Sequence, residues 1–150
     1  MGLLEFNMIL PTSPEQFIKY SSDYESLSKF LPGQLKSIKI IERDSVQTIT
    51  EEIISFSTVI KNEISQKTVH HTPQNNEMFS EIISGPAKGT TILAKFKKVS
   101  EGTEIQVNVE LNLSLKAKIL SPIIKKFYER VLMGIFYKIN NMALQSEKSQ

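Results

Sequence analysis

The sequence predicts an α+β fold in which a seven-stranded antiparallel sheet curves around one long C-terminal helix. Three observations support this. About seven segments carry a strand pattern and are separated by short turns, and such consecutive strands pair as antiparallel neighbours. A helical pattern follows from residue 117 onward and is the only segment long enough to cover the apolar face of the sheet. The length of 150 residues suits one domain, spanning residues 1–150.

The N-terminal part predicts one strand and two short helices. Apolar residues alternate from Leu4 to Leu10, which is typical of a half-buried strand. Ser13 is followed by Pro14 and Gln16, the pattern of an N-cap, a first-turn proline and a capping-box partner, so a helix should cover residues 14–21. Asp23 should cap a second helix over residues 24–30.

Six further strands are expected. Their ranges are 35–43, 46–56, 57–72, 77–84, 90–99 and 103–115. In the last of them, apolar side chains occupy every second position from Ile105 to Leu115, while polar side chains occupy the positions between. A sheet of this size twists and curls, so it should wrap around the helix that follows.

The C-terminal segment predicts a long amphipathic helix over residues 122–145, roughly 36 Å long at 1.5 Å per residue. Apolar residues recur every four positions from Ile119 to Ile135. Because a curved sheet cannot contact a straight helix along its full width, we expect a cavity between them, lined by the apolar face of the strands. A ligand pocket is therefore predicted from shape and not from a motif.

The predicted lining consists of large or inward-facing apolar residues and one helical glycine. These are Phe30, Phe79, Phe96, Val107, Val109, Leu111, Phe127, Val131, Gly134 and Ile135. Gly134 either packs closely against a strand or leaves room for a ligand. The polar residues expected in the pocket are Glu52, His70 and Tyr128.

No catalytic or metal-binding residue is assigned from the sequence. Adjacent strand residues point to opposite faces, so His70 and His71 should not bind one metal, and Glu51 and Glu52 should not face each other. Cysteine is absent, which excludes a disulfide framework and a thiolate site. The motifs G-x-S-x-G, H-E-x-x-H and G-x-G-x-x-G are also absent, and no cofactor is expected.

The net charge and its distribution along the chain indicate which binding partners to expect. A net charge of +2 does not predict nucleic-acid binding. The C-terminal helix is basic, and Lys125, Lys126 and Arg130 form either a solvated face or a surface for transient contact with an anionic membrane. The sequence has no signal-peptide pattern and no run of about 20 apolar residues, so a cytoplasmic location is expected.

Two stretches resemble known families. Asp23-Tyr24 through Phe30-Leu31-Pro32 is similar to the D-Y-x-x-x-x-x-F-L-P stretch of the coenzyme Q-binding START-like family. The run from Gly85 to Gly89, with Phe96 and Gly102-Thr103 after it, resembles the G-P-x-K-G…F…G-T pattern of polyketide cyclases and dehydrases. The resemblance spans the whole chain. It implies the helix-grip fold of the START-like (SRPBCC) superfamily.

Three functions follow as hypotheses. The first is a binding or carrier protein for a hydrophobic small molecule, such as a lipid, a quinone or a polyketide-like aromatic compound. The second is a cyclase-, aromatase- or hydrolase-like enzyme that uses Glu52, His70 or Tyr128 for acid/base chemistry. The third is a protein-interaction module that presents the basic helix. An open pocket favours the first, inward ionisable groups with shifted pKa favour the second, and a filled interior favours the third.

Overall fold

The computed structural model describes residues 2–29, 35–55 and 63–148. Its elements in chain order are β1 Gly2–Leu10, α1 Pro14–Ser21, α2 Tyr24–Leu27, β2 Leu35–Arg43, β3 Gln47–Ser55, β4 Glu63–His71, β5 Glu77–Ile82, β6 Thr91–Val99, β7 Gly102–Leu111, α3 Leu115–Lys118 and α4 Ser121–Lys148. Phe30, which was expected to line the pocket, lies outside the described residues. The predicted α+β helix-grip fold is confirmed.

The seven strands form one antiparallel sheet in the order β1-β7-β6-β5-β4-β3-β2. Residues that pair across it share a face, so Leu4 of β1, Val109 of β7 and Ile92 of β6 follow one another on the side that meets α4. The pairing of β2 with β3 shifts between Leu35 and Ser37 and again between Ile40 and Glu42. Such irregularities bend a strand and increase its twist, which contributes to the curvature at this edge.

The two short helices begin at the residues that the sequence predicts. Ser13 Oγ accepts a hydrogen bond from the backbone N–H of Gln16 at 3.3 Å, and Pro14 is the first helical residue. Asp23 Oδ1 accepts one from the N–H of Ser26, also at 3.3 Å. The helix α2 ends at Leu27, earlier than predicted.

The last strand is shorter than its apolar alternation predicted. The strand β7 ends at Leu111, because Thr90 Oγ1 accepts from the N–H of Asn112 at 3.0 Å and takes the place of a ladder partner. Leu113 is still buried, but Leu115 is 82% exposed in α3. The expectation that Leu115 belongs to the buried face of a strand is therefore wrong.

The helix α4 is fixed to the sheet near the junction of β1 and α1. Phe17, Phe96 and Phe136 form an aromatic cluster with ring centroids 5.9–6.3 Å apart. Thr12 Oγ1 donates to Oδ1 of the buried Asn140 at 2.7 Å, and the Thr12 N–H donates to the same oxygen at 3.2 Å.

In the part of the chain that the structure describes, no helix is both long and apolar enough to cross a membrane.

Candidate functional site: an apolar cavity with one polar wall

A cavity of about 160 Å³ lies between the sheet and the middle of α4. Its apolar lining comes from the inner face of the strands, from the short helix α2 and from α4. These residues are Leu27, Leu35, Ile38, Ile54, Met78, Ile82, Ile92, Ala94, Phe127, Val131, Leu132, Ile135 and Phe136. The position agrees with the predicted gap between a curved sheet and a straight helix.

One wall of this cavity is polar. Thr50 and Glu52 of β3, Gln66, Thr68 and His70 of β4, and Ser80 of β5 all line it. The register explains this, since Thr50 pairs with Thr68, Glu52 with Gln66, and His70 with Ser80. Paired residues of neighbouring strands point to the same face of a sheet, so the six side chains form a continuous patch.

Glu52 is at the centre of the polar wall and is buried. Its Oε1 accepts hydrogen bonds from Thr68 Oγ1 and from Gln66 Nε2, the latter at 3.3 Å, and its Oε2 accepts from Thr50 Oγ1 at 2.8 Å. Burial raises the pKa of Glu52 above its ordinary value, and the hydrogen bonds from Thr68, Thr50 and Gln66 oppose that rise. The charge of Glu51 raises it further.

His70 extends the patch toward α2. Its Nε2 lies 2.8 Å from Thr50 Oγ1, its Nδ1 lies 2.7 Å from Ser80 Oγ, and its ring stacks on Tyr24 with centroids 4.4 Å apart. Burial lowers the pKa of His70 to about 4, so the ring is neutral at neutral pH. Burial also raises the pKa of Tyr24 above its ordinary value.

The chain Glu52–Thr50–His70–Ser80 forms a continuous hydrogen-bonded relay. When Glu52 is ionised, Thr50 donates to it, His70 Nε2–H donates to Thr50, and Ser80 donates to Nδ1. When Glu52 is protonated on Oε2 and donates to Thr50, the direction of each bond in this chain reverses, and His70 carries its proton on Nδ1. A neutral histidine has one donor and one acceptor nitrogen, so protonation of Glu52 at Oε2 selects the His70 tautomer.

Tyr128 separates this cavity from a second one. Its hydroxyl donates to Gln66 Oε1 at 3.4 Å, and Ile54, Gln66 and Tyr128 belong to both linings. The second cavity has about 240 Å³ and lies toward α3, against Pro86, Ala87, Leu113, Ala117, Leu120 and Ile124. Burial raises the pKa of Tyr128 above its ordinary value, so the hydroxyl remains protonated.

The structure places six of the residues expected in the pocket on the wall of the first cavity. These are Glu52, His70, Phe127, Tyr128, Val131 and Ile135. Phe96, Val107, Val109 and Leu111 are buried in the packed core on the β1 side of the sheet and line neither cavity. Gly134 also lines neither cavity.

The expected position of Phe79 requires a correction. Phe79 is 36% exposed and contacts the exposed His71, with ring centroids 5.3 Å apart on the outer face of the sheet. Its neighbours Met78 and Ser80 line the cavity instead. The physical reason is the strand period of two, because Phe79 shares its face with the exposed Glu77 and Glu81.

Several cavity residues were missed by sequence reasoning. Thr50, Gln66, Thr68, Ser80 and Ser21 line the first cavity, yet each is a residue type usually found at the surface. The period of two starting from Glu52 and His70 was a signal for Thr50, Gln66 and Thr68, but not for Ser80 or Ser21, which lie on other elements. Within the described ranges, no group of three histidine, cysteine, aspartate or glutamate side chains is arranged to hold a metal ion.

The buried His70 predicts a measurable pH dependence of stability. Its pKa falls from 6.5 in the unfolded chain to about 4 in the folded protein, so its contribution is complete above pH 6.5 and is lost as the pH falls through 4. Urea unfolding should compare wild type with His70→Gln, which keeps Glu52 in both proteins. Between about pH 8 and pH 4, the free energy of unfolding of wild type should fall by about 3 kcal/mol relative to that of His70→Gln. A difference that stays constant over this range would contradict the neutral, buried histidine.

Comparisons with known proteins bear on the fold. No protein-family model matches the sequence, and no curated protein matches it. A protein from Thermus thermophilus superimposes with a TM-score of 0.82 at 14% identity, covering 97% of this chain and 99% of its own. The Zhui aromatase/cyclase from a Streptomyces strain gives a TM-score of 0.81 at 7% identity, covering 96% of this chain and 94% of that chain.

A START superfamily protein from Mycobacterium smegmatis matches with a TM-score of 0.74 at 16% identity, over 95% of this chain and 97% of that one. The chain has the START-like helix-grip fold. The resemblance found in the sequence is therefore confirmed at the level of fold. In this chain, the two cavities lie where sheet and helix separate, on the side of β3, β4 and β5.

Proposed function

We propose that the protein binds or carries a hydrophobic small molecule in the cavity between the sheet and α4. The observation that supports this most strongly is the open space between the sheet and α4, next to a core of buried apolar side chains. The first cavity is lined mainly by apolar side chains, with its polar groups confined to one wall. This combination is typical of small-molecule sites, in which apolar area provides affinity and a few polar groups orient the ligand.

The volumes support a ligand of moderate size. An apolar cavity of about 150 Å³ holds one benzene molecule, so the first cavity of about 160 Å³ accommodates one aromatic ring. Rotation of Tyr128 would join it to the second cavity of about 240 Å³. Together they reach the lower part of the range of ligand sites, roughly 300–1,000 Å³. A ring with a short aliphatic extension fits this shape, and a quinone or a polyketide-like aromatic compound belongs to that class.

The direct test is titration with N-phenyl-1-naphthylamine, an uncharged fluorophore whose emission rises in apolar surroundings. Its naphthyl and phenyl groups are too large for the first cavity alone, so its binding requires the two joined cavities. We expect saturable binding of one molecule per chain, and loss of the signal when the protein is unfolded in urea. Absence of saturable binding by this probe would count against the proposed function.

The relay from Glu52 to Ser80 supports a second candidate, an enzyme that moves a proton to or from a bound carbonyl compound. In this reaction the Glu52 carboxylate removes a proton from the carbon next to the carbonyl, which leaves an enolate. The carboxyl then exchanges that proton with solvent, and a proton of solvent origin returns from the carboxyl to the carbon in the reverse step. The test is exchange of these protons of phenylacetone in D₂O, followed by NMR. Wild-type protein should accelerate exchange and Glu52→Gln should not. Equal rates with and without protein would exclude this activity for that substrate.

We also propose contact with an anionic membrane near the start of α4. Leu115, Ile119 and Ile123 are 82%, 84% and 44% exposed, and Lys126 is exposed beside them. Exposed apolar side chains flanked by lysine are typical of surfaces that insert shallowly into an anionic bilayer. Sedimentation with phosphatidylserine-containing vesicles should retain wild type and release Ile119→Ser. Equal retention of the two proteins would contradict this contact.

A further inference from the structure

The charges of the two cavities restrict the ligand more narrowly than their apolar lining does. Among the described residues that line them, Glu52 is the only acidic side chain, and there is no lysine or arginine. His70 is neutral at neutral pH. An anionic group placed in either cavity would therefore find no positively charged side chain among the described lining residues. A buried carboxylate without a partner is strongly unfavourable.

The hydrogen-bond donors of the polar wall are already engaged. The hydroxyls of Thr50 and Thr68 and the amide of Gln66 bond to Glu52, and Tyr128 bonds to Gln66. Both nitrogens of His70 are also engaged, one with Thr50 and one with Ser80. An anionic ligand would have to break these bonds to obtain donors, and each broken bond would leave a buried polar group without a partner.

One polar group that lines the first cavity is an exception. Ser21 is 8% exposed, and its Oγ is a buried polar atom with no hydrogen-bond partner among the described residues. Buried hydroxyls in proteins are almost always hydrogen-bonded, so an unpartnered one calls for a physical explanation. A hydroxyl can donate one hydrogen bond and accept others, which suits a neutral polar group such as a carbonyl, a hydroxyl or an amide.

We propose that the cavity selects uncharged ligands, whose single polar group reaches Ser21 Oγ after the serine side chain rotates toward the cavity, and that it rejects ligands with a carboxylate. This proposal rests on the proposed binding function and defines its ligand class. Fatty acids and aromatic acids are excluded by it. Apolar compounds that end in a neutral oxygen group, including quinones and phenols, are accepted.

The test uses two compounds of nearly equal shape, 4-butylbenzamide and 4-butylbenzoate, each titrated at neutral pH against protein loaded with N-phenyl-1-naphthylamine. The benzamide should displace the probe at a concentration at least about tenfold lower than the benzoate, a difference of about 1.4 kcal/mol. Equal displacement, or better displacement by the benzoate, would overturn the proposal. If the probe binds but neither compound displaces it, the ligand class is wrong while the binding function stands. If the probe itself does not bind, the binding function fails as well.

Substitutions at two positions test which residues cause the expected preference for the benzamide over the benzoate. Ser21→Ala should weaken the benzamide about threefold to tenfold, since one hydrogen bond is lost, without lowering the stability of the free protein. Met78→Lys places a cation on the cavity wall with a stem of similar length, and Met78→Gln is its uncharged control. Met78→Lys should improve benzoate binding at least about tenfold relative to Met78→Gln. An unchanged benzoate affinity in a folded Met78→Lys protein would contradict the charge argument. If that variant does not fold, the wild-type comparison decides alone.

Discussion

Replacing Ala94 with phenylalanine should strongly weaken ligand binding and leave the fold intact. Ala94 is buried on β6, and it lines the first cavity opposite α4. A phenyl ring has the size of benzene, and the cavity of about 160 Å³ provides room for one such ring. We expect the affinity for N-phenyl-1-naphthylamine to fall at least about tenfold, while the free energy of unfolding stays within about 1.5 kcal/mol of wild type.

A matched control separates cavity filling from general disruption. Ala143 of α4 is 2% exposed and lines neither cavity. The same substitution there has no empty space to enter, so Ala143→Phe should destabilise the protein by about 1–3 kcal/mol or more. The probe should still bind to the folded fraction. If Ala94→Phe binds the probe like wild type, the ligand site lies elsewhere on the molecule.

The second large effect, a loss of stability, is expected on substitution of Gly102 at the turn between β6 and β7. Its φ of +135° is unfavourable for residues with a side chain. A Cβ atom there would also lie 2.6 Å from backbone atoms of Pro11 and even closer to the carbonyl oxygen of Leu10. The neighbouring Thr103 Oγ1 donates to the Thr12 carbonyl at 2.6 Å, so the two backbones cannot separate without losing this bond. Gly102→Ala should therefore lower the free energy of unfolding by more than about 3 kcal/mol.

Gly2→Ala is the control for this substitution. A Cβ at Gly2 would meet the flexible end of the Lys125 side chain at 2.8 Å and would make an ordinary van der Waals contact with Leu111 Cβ at 3.6 Å. Because the lysine side chain can move, the free energy of unfolding of Gly2→Ala should stay within about 0.5 kcal/mol of wild type. Thermal or urea unfolding measures both variants. A Gly102→Ala protein as stable as Gly2→Ala would show that the close approach of the turn to the start of α1 is not as tight as described.

The fold was predictable because its signals are local. The alternation from Ile105 to Leu111, the caps at Ser13 and Asp23, and the four-residue apolar period of α4 each follow from one segment alone. The bulges that bend β2 were not predictable, because they arise from pairing between strands. The end of β7 depends on Thr90, which lies on the other side of a hairpin.

The candidate site was harder to predict for a related reason. Apart from Ile64, the inward residues of β4 are polar, namely Gln66, Thr68 and His70. The alternation along this strand therefore does not show which side is buried. Only pairing with Thr50 and Glu52 of β3 settles the question. Phe79 was misplaced because its size suggested burial, although Glu77 and Glu81 on the same face indicated exposure.

The central claim is that the interior of this START-like fold holds a hydrophobic small molecule. Native mass spectrometry of the purified wild-type protein, followed by denaturation and organic extraction, tests it most directly. We expect a bound species, or uptake of one added uncharged apolar compound per chain, that is released on denaturation and is absent from Ala94→Phe. A wild-type protein that carries no ligand and takes up none of a panel of uncharged apolar compounds would contradict the claim.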